Sequence, residues 1–119
     1  MERRHSLVKS FQFAFEGMKV ALAKGRNFRI QFVLGFLALV LAFVLKFSPV
    51  EWAILIVTIA SVLILELINT SIEAIVDLVS PEIRNEARVA KDVSAAAVLI
   101  ASIASVAIAA FLFLPKLLS

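Results

Sequence analysis

The chain reads as an all-α integral membrane protein, with an N-terminal amphipathic surface helix followed by three transmembrane helices. Three observations carry that reading. Of the 119 residues, 62% are hydrophobic and the mean hydropathy is +1.03, against an apolar share near ~45–50% in ordinary soluble domains. Three apolar stretches, at about residues 30–47, 50–76 and 93–114, are each long enough as a helix to cross roughly 30 Å of hydrocarbon. Lysine and arginine gather at one end of each stretch rather than evenly along the chain. So few segments satisfy their backbone groups in lipid only as helices. The length leaves one domain, residues 1–119, with no linker or separate soluble module.

The surface helix covers about residues 5–25. Leu7, Phe11, Phe15, Met18 and Leu22 recur at steps of three and four, Ala14 fills the same stripe, and Ser10, Gln12, Glu16 and Lys19 lie largely elsewhere. Phe13 and Val20 fall off the stripe. Such a helix suits the interface plane, as an anchor, as a face packed on neighbouring helices or as the cover of a site. The segment does not read as a cleavable signal, because Lys9, Glu16 and Lys19 interrupt its apolar residues. Gly25 is the expected hinge into the first span. Ser48-Pro49 separates the first and second spans as a tight turn, and Ser80-Pro81 ends the second helix. Small residues from Ser94 to Ala97 allow the third span to approach its neighbours closely.

Residues 1–29 carry Arg3, Arg4, Lys9, Lys19, Lys24, Arg26 and Arg29 against Glu2 and Glu16, whereas the 46–51 turn has Lys46 as its single cation. The positive-inside rule then puts the N-terminus in the cytoplasm, and with it the 77–92 segment bearing Arg84, Arg88 and Lys91; Lys116 falls outside. The net charge of +3 reflects this asymmetry and an attraction to anionic headgroups. It does not point to nucleic acid, since no basic face is interleaved with solvent-facing aromatics. The chain has no cysteine, which excludes disulfides, thiolate metal sites and a cysteine nucleophile. His5, the single histidine, reads as a solvated side chain of the basic arm.

The informative segment is the end of the second span. Glu66, Asn69, Glu73 and Asp77 follow an apolar run from Trp52 to Leu65, and at 100° per residue all four share a stripe about 80° wide. A carboxylate in hydrocarbon costs at least roughly 2.5–3.5 kcal/mol, so such groups line protein interiors or wet cavities. A helix end emerging into water accounts for Asp77 but poorly for Glu66. Beyond the short loop, Lys91 and Asp92 stand near the depth of Glu73 and Asp77; Lys91 suits either a phosphate or a snorkelling anchor. Carboxylates for a cation and a base, an amide for positioning and a lysine for negative charge are the parts of phosphoryl transfer. Neither a G-x-x-x-x-G-K-[ST] loop nor a G-x-G-x-x-G loop is present. On the residues alone, proton or ion translocation remains open, although broken helices are lacking.

The run from Glu66 to Asp77, E-x-x-N-x-x-x-E-x-x-x-D, with Ala90-Lys91-Asp92 and Ala95-Ala96-Ala97-Val98-Leu99-Ile100 at the right distance, resembles the small bacterial diacylglycerol kinase family, which includes undecaprenol kinases. Phe15-Glu16-Gly17-Met18 and Arg26-Asn27-Phe28-Arg29 also resemble family positions, and Glu51-Trp52 leans toward the undecaprenol kinase branch. The resemblance implies a homotrimer in the bacterial inner membrane with composite active sites, using Mg²⁺ and ATP to phosphorylate a lipid hydroxyl, undecaprenol ahead of diacylglycerol. It casts Glu66 as general base, Asn69 as the group orienting the reacting centre and Glu73 as a ligand of the metal on the ATP phosphates. Glu82, Lys91 and Asp92 match nucleotide contacts, and Asp77 matches a motif position. Gly25 stands where the family carries a second metal-binding glutamate, which implies weak Mg-ATP binding, slow turnover and recovery of both in Gly25→Glu. The alternative is a trimeric membrane protein of the same fold with impaired or no catalysis.

Overall fold

A computed structural model describes residues 6–82 and 84–119; His5, Arg3 and Arg4 of the basic arm lie outside the described residues. The chain forms four helices in the order α1 (Leu7–Lys24), α2 (Arg26–Val44), α3 (Pro49–Val79) and α4 (Asn85–Leu118). The last three are long and apolar enough to cross a membrane. Phe36, Phe43, Ile100 and Phe111 are each more than 60% exposed, an apolar surface suited to lipid and far too large for water.

α1 starts where the Ser6 hydroxyl accepts the Lys9 N–H at 3.3 Å, capping one of the free amides of the first turn. It ends at an elbow. The Gly25 N–H donates to the Ala21 carbonyl at 2.7 Å, with Gly25 extended at φ −93°. Across the elbow, one Arg29 nitrogen donates to the Leu22 carbonyl at 2.8 Å and the Ala23 carbonyl at 3.0 Å, satisfying acceptors that the last turn of a helix leaves free. Ala21 and Phe28 are buried beneath it. The hinge expected at Gly25 is therefore a braced corner, and α2 begins at Arg26, four residues before the apolar run.

α2 ends in a Schellman motif: Phe47 N–H donates to the Ala42 carbonyl at 3.1 Å and Lys46 N–H to the Phe43 carbonyl at 3.2 Å. The motif needs a left-handed residue, a place that usually falls to glycine, yet here Lys46 takes it at φ 58°. Ser48 then caps α3 through a reciprocal box with Glu51, with Pro49 at the first helical position, where its missing N–H costs nothing. Ala42, Phe47, Leu55, Leu112 and Phe113 close over this turn as the buried core. Phe47 meets Phe113 at 4.9 Å and Trp52 edge-on at 6.1 Å between ring centroids. Lys116 pairs with Glu51 at 3.1 Å, tying the ends of α3 and α4.

α3 has 31 residues and α4 has 34. At 1.5 Å per residue they measure about 46 and 51 Å, well beyond the roughly 30 Å of hydrocarbon, so both extend past it. Thr58, Ser61, Thr70 and Ser71 each donate to the carbonyl four residues back, which spares α3 unsatisfied hydroxyls in an apolar setting. α4 starts at Asn85, so Ala90-Lys91-Asp92 is helical, and Pro115 sits inside its last turn without ending it.

Candidate active site at the polar end of the bundle

The end opposite the Phe47 turn is polar and open. Glu66 is 5% exposed, the one buried charged residue among those described. Its backbone carbonyl accepts the Thr70 hydroxyl at 3.0 Å, but among the described residues no side chain bonds its carboxyl. The carboxyl borders a pocket of about 280 Å³ between α2, α3 and α4, whose polar lining also includes Asn27, Gln31, Asn69 and Ser102. Across its floor Gln31 Nε2 donates to Ser102 Oγ at 3.4 Å. The same two residues border a second, apolar cavity of about 240 Å³ running toward Phe113. The pocket thus joins one unpaired carboxyl, amides and a hydroxyl at the edge of an apolar interior.

One turn along α3, Asn69 Nδ2 donates to Glu73 Oε1 at 3.2 Å, and Asn69 Oδ1 accepts from Ser94 Oγ of α4 at 2.7 Å. Farther along, Lys91 and Asp77 form an ion pair at 2.5 Å. Two rungs therefore fasten α4 to the polar stripe of α3, one through an amide and one through charge. Asp92 and Glu82 are exposed, and the Glu82 backbone carbonyl accepts the Ser80 hydroxyl at 3.2 Å in the connecting loop.

The structure thus gathers Glu66 and Asn69 at one pocket, with Glu73 on the far side of the Asn69 amide. It does not bring the carboxylates to one point: among the described residues no group of three or more His, Cys, Asp or Glu side chains could hold a metal ion. The reason is helical rise. Seven residues separate Glu66 from Glu73, about 10 Å along the axis, and Asp77 is drawn to Lys91. A single exposed carboxylate at Glu73 is nonetheless compatible with Mg²⁺, which keeps several waters and binds through one or two carboxylates plus substrate phosphates.

Gly25 departs from the simple expectation that a glutamate could be restored there. A Cβ built on Gly25 would lie 2.8 Å from the Ala21 carbonyl oxygen and 3.2 Å from Phe28 Cβ. The first contact is with backbone that the elbow itself holds, so a side chain at this position requires the corner to move. Gln31, Ser102 and the bonding role of Ser94 were not legible as parts of the site. Gln31 carries a signal in hindsight, as a lone amide at the head of an apolar run; two serines in a helix rich in Ala and Ser carry none.

Residues 12–113 match the family described as prokaryotic diacylglycerol kinase. Over 115 residues the chain is 42% identical to a diacylglycerol kinase of Synechocystis sp., covering 96% of this chain and 66% of that protein. It is 36% identical over 109 residues to the undecaprenol kinase of Bacillus subtilis, covering 92% and 89% of the two chains. Against a diacylglycerol kinase of Escherichia coli it is 34% identical over 100 residues, covering 84% and 82%. The chain therefore spans just under two thirds of the Synechocystis protein and most of the other two. With the family matched over nearly its whole length and the polar stripe of α3 set against a pocket in a three-span bundle, this chain belongs to the prokaryotic diacylglycerol kinase family.

Proposed function

We propose that the protein is a membrane lipid kinase that transfers the γ-phosphoryl group of ATP to the hydroxyl of a membrane lipid, undecaprenol ahead of diacylglycerol. The observation that carries this reading is Glu66, buried, unpaired and at the wall of a pocket on the border of polar and apolar space. In the step, the Glu66 carboxylate takes the proton of the lipid hydroxyl as its oxygen forms the new bond to phosphorus. The bond from that phosphorus to the bridging oxygen breaks, and ADP leaves with the negative charge. Phosphoryl transfer asks the protein mainly for positioning and electrostatic stabilisation. Asn69 supplies the first at the reacting centre, while Lys91, Asp92 and Glu82 meet the nucleotide, Lys91 leaving Asp77 for a phosphate. Glu73 is the residue that would hold Mg²⁺ arriving on ATP, which when bound offsets phosphate charge.

The reading extends to a homotrimer in the bacterial inner membrane with the N-terminus cytoplasmic, and to α1 lying at the interface. Its support is the exposure of Glu73 and of the Leu7, Phe11 and Phe15 stripe in the single chain, surfaces that neighbouring chains and headgroups would shield. A second reading, the same fold with impaired or no catalysis, is favoured by Gly25, which supplies no second carboxylate and where a side chain would require the corner to move.

The test is transfer of labelled γ-phosphate from ATP to undecaprenol and to diacylglycerol in bilayers. Transfer to undecaprenol in excess of diacylglycerol is expected; the reverse preference would exchange the acceptor, and no transfer to either would leave the second reading standing.

A further inference from the structure

Ser94 belongs to a run of small residues whose obvious purpose is close helix packing, but its hydroxyl does something more specific. It is half-buried at the seam of α3 and α4 and donates to Asn69 Oδ1 at 2.7 Å, while Asn69 Nδ2 donates to Glu73 Oε1 at 3.2 Å. The chemistry of the three groups fixes the direction of the array. An ionised carboxylate only accepts hydrogen bonds, so it selects the Nδ2 side of the amide. This turns Oδ1, which only accepts, toward α4, where a donor is required. The serine hydroxyl is that donor.

From this we infer that Ser94 is a positioning residue of phosphoryl transfer, acting through Asn69 by locking its amide with Nδ2 toward Glu73. The inference rests on the kinase reading of the site. Without the hydroxyl, the Asn69 carbonyl oxygen loses its partner at the seam and the Glu73 contact alone holds the amide against turning over. The turned amide sets its oxygen against the Glu73 carboxylate, a contact of two acceptors. Both N–H groups then leave the side where the stripe presents them. The serine therefore holds the amide orientation together with Glu73, a role beyond close packing. Ser94 lies one turn from Lys91, which bonds Asp77 on the same stripe; Lys91 supplies charge and leaves when phosphate arrives, whereas the Ser94 rung is neutral and stays.

The experiment compares Ser94→Ala, Ser94→Thr and Asn69→Ala, singly and in the Ser94→Ala/Asn69→Ala pair, by kcat and KM for Mg-ATP and for the lipid acceptor. Ser94→Ala should lower kcat about tenfold, the scale of one hydrogen bond whose loss leaves a half-buried acceptor without its partner, with both KM values within about twofold. Ser94→Thr keeps the hydroxyl and should recover most of kcat. Asn69→Ala should cost more, and adding Ser94→Ala to it should cost nothing further. In parallel, the side-chain amide of Asn69 is followed by ¹⁵N NMR, identified by its loss in Asn69→Ala. Its two N–H signals should move in Ser94→Ala and stay in place in Ser94→Thr. Multiplying effects in the double variant, a threonine variant as slow as the alanine one, or unmoved amide signals in Ser94→Ala would each overturn the assignment. If no variant, nor the parent, phosphorylates lipid, the kinase reading fails while the amide signals still decide the contact.

Discussion

The two ends of the bundle are built on opposite rules. At the Phe47 turn the interacting groups are matched: aromatic rings interlock, Lys116 pairs with Glu51, and Glu51 also completes the capping box. At the other end Glu66 is buried without a side-chain partner, Glu73 is held by one neutral amide, and Lys91 rests on an exposed aspartate. A membrane sharpens the contrast, because lipid gives helices no hydrophobic reason to associate and leaves packing and polar contacts to hold them. The contrast suits a division of labour: the matched end holds the helices together, and the unmatched end leaves Glu66 without a side-chain partner, as the proposed kinase site requires.

The largest expected effect strikes the unmatched end. Glu66→Gln should lower the maximal rate by about 10²–10⁴, on general-base magnitudes, with Mg-ATP affinity nearly unchanged and the thermal midpoint equal or higher, measured by transfer kinetics and calorimetry. A large fall in stability instead would show that Glu66 is part of the scaffold and break the comparison. At the matched end, Phe47→Ala should cost about 3 kcal/mol of stability, the usual scale for emptying a buried aromatic site. Its kcat in the fraction that stays folded should be close to the parent's. A selective loss of turnover there would show the two ends to be coupled.

Glu73→Gln should weaken metal-dependent nucleotide binding about tenfold while leaving binding of the lipid acceptor intact, read from the KM of each substrate. Gly25→Glu sharpens the same point. It should tighten Mg-ATP and lower the thermal midpoint together, since the added carboxylate arrives with a Cβ pressed on the Ala21 carbonyl. Unchanged affinity would remove the second carboxylate from the account of the metal. The smallest effect belongs to Lys46, where φ is 58°. Lys46→Gly should raise stability by about 1 kcal/mol without altering turnover, because glycine occupies the left-handed region without strain.

The membrane class, the helices and the polar stripe were legible in the sequence because each depends on local periodicity. Apolar length reports a span, and positions 66, 69, 73 and 77 share a face through helix geometry alone. The Ser48-Pro49 stop was legible for the same reason, since capping and proline act on neighbouring residues. The partners of the stripe were not. Ser94 meets Asn69 from 25 residues away, and Gln31 meets Ser102 from 71, so only the packing of α2 and α4 against α3 could select them. That packing also decided that Glu66 is buried and unpaired while Asp77 finds a lysine. It turned the Gly25 hinge into a corner braced by Arg29. A sequence states which groups a helix presents on one face; which of them is satisfied, and which is left unpaired, is settled only when a second helix arrives with or without a partner.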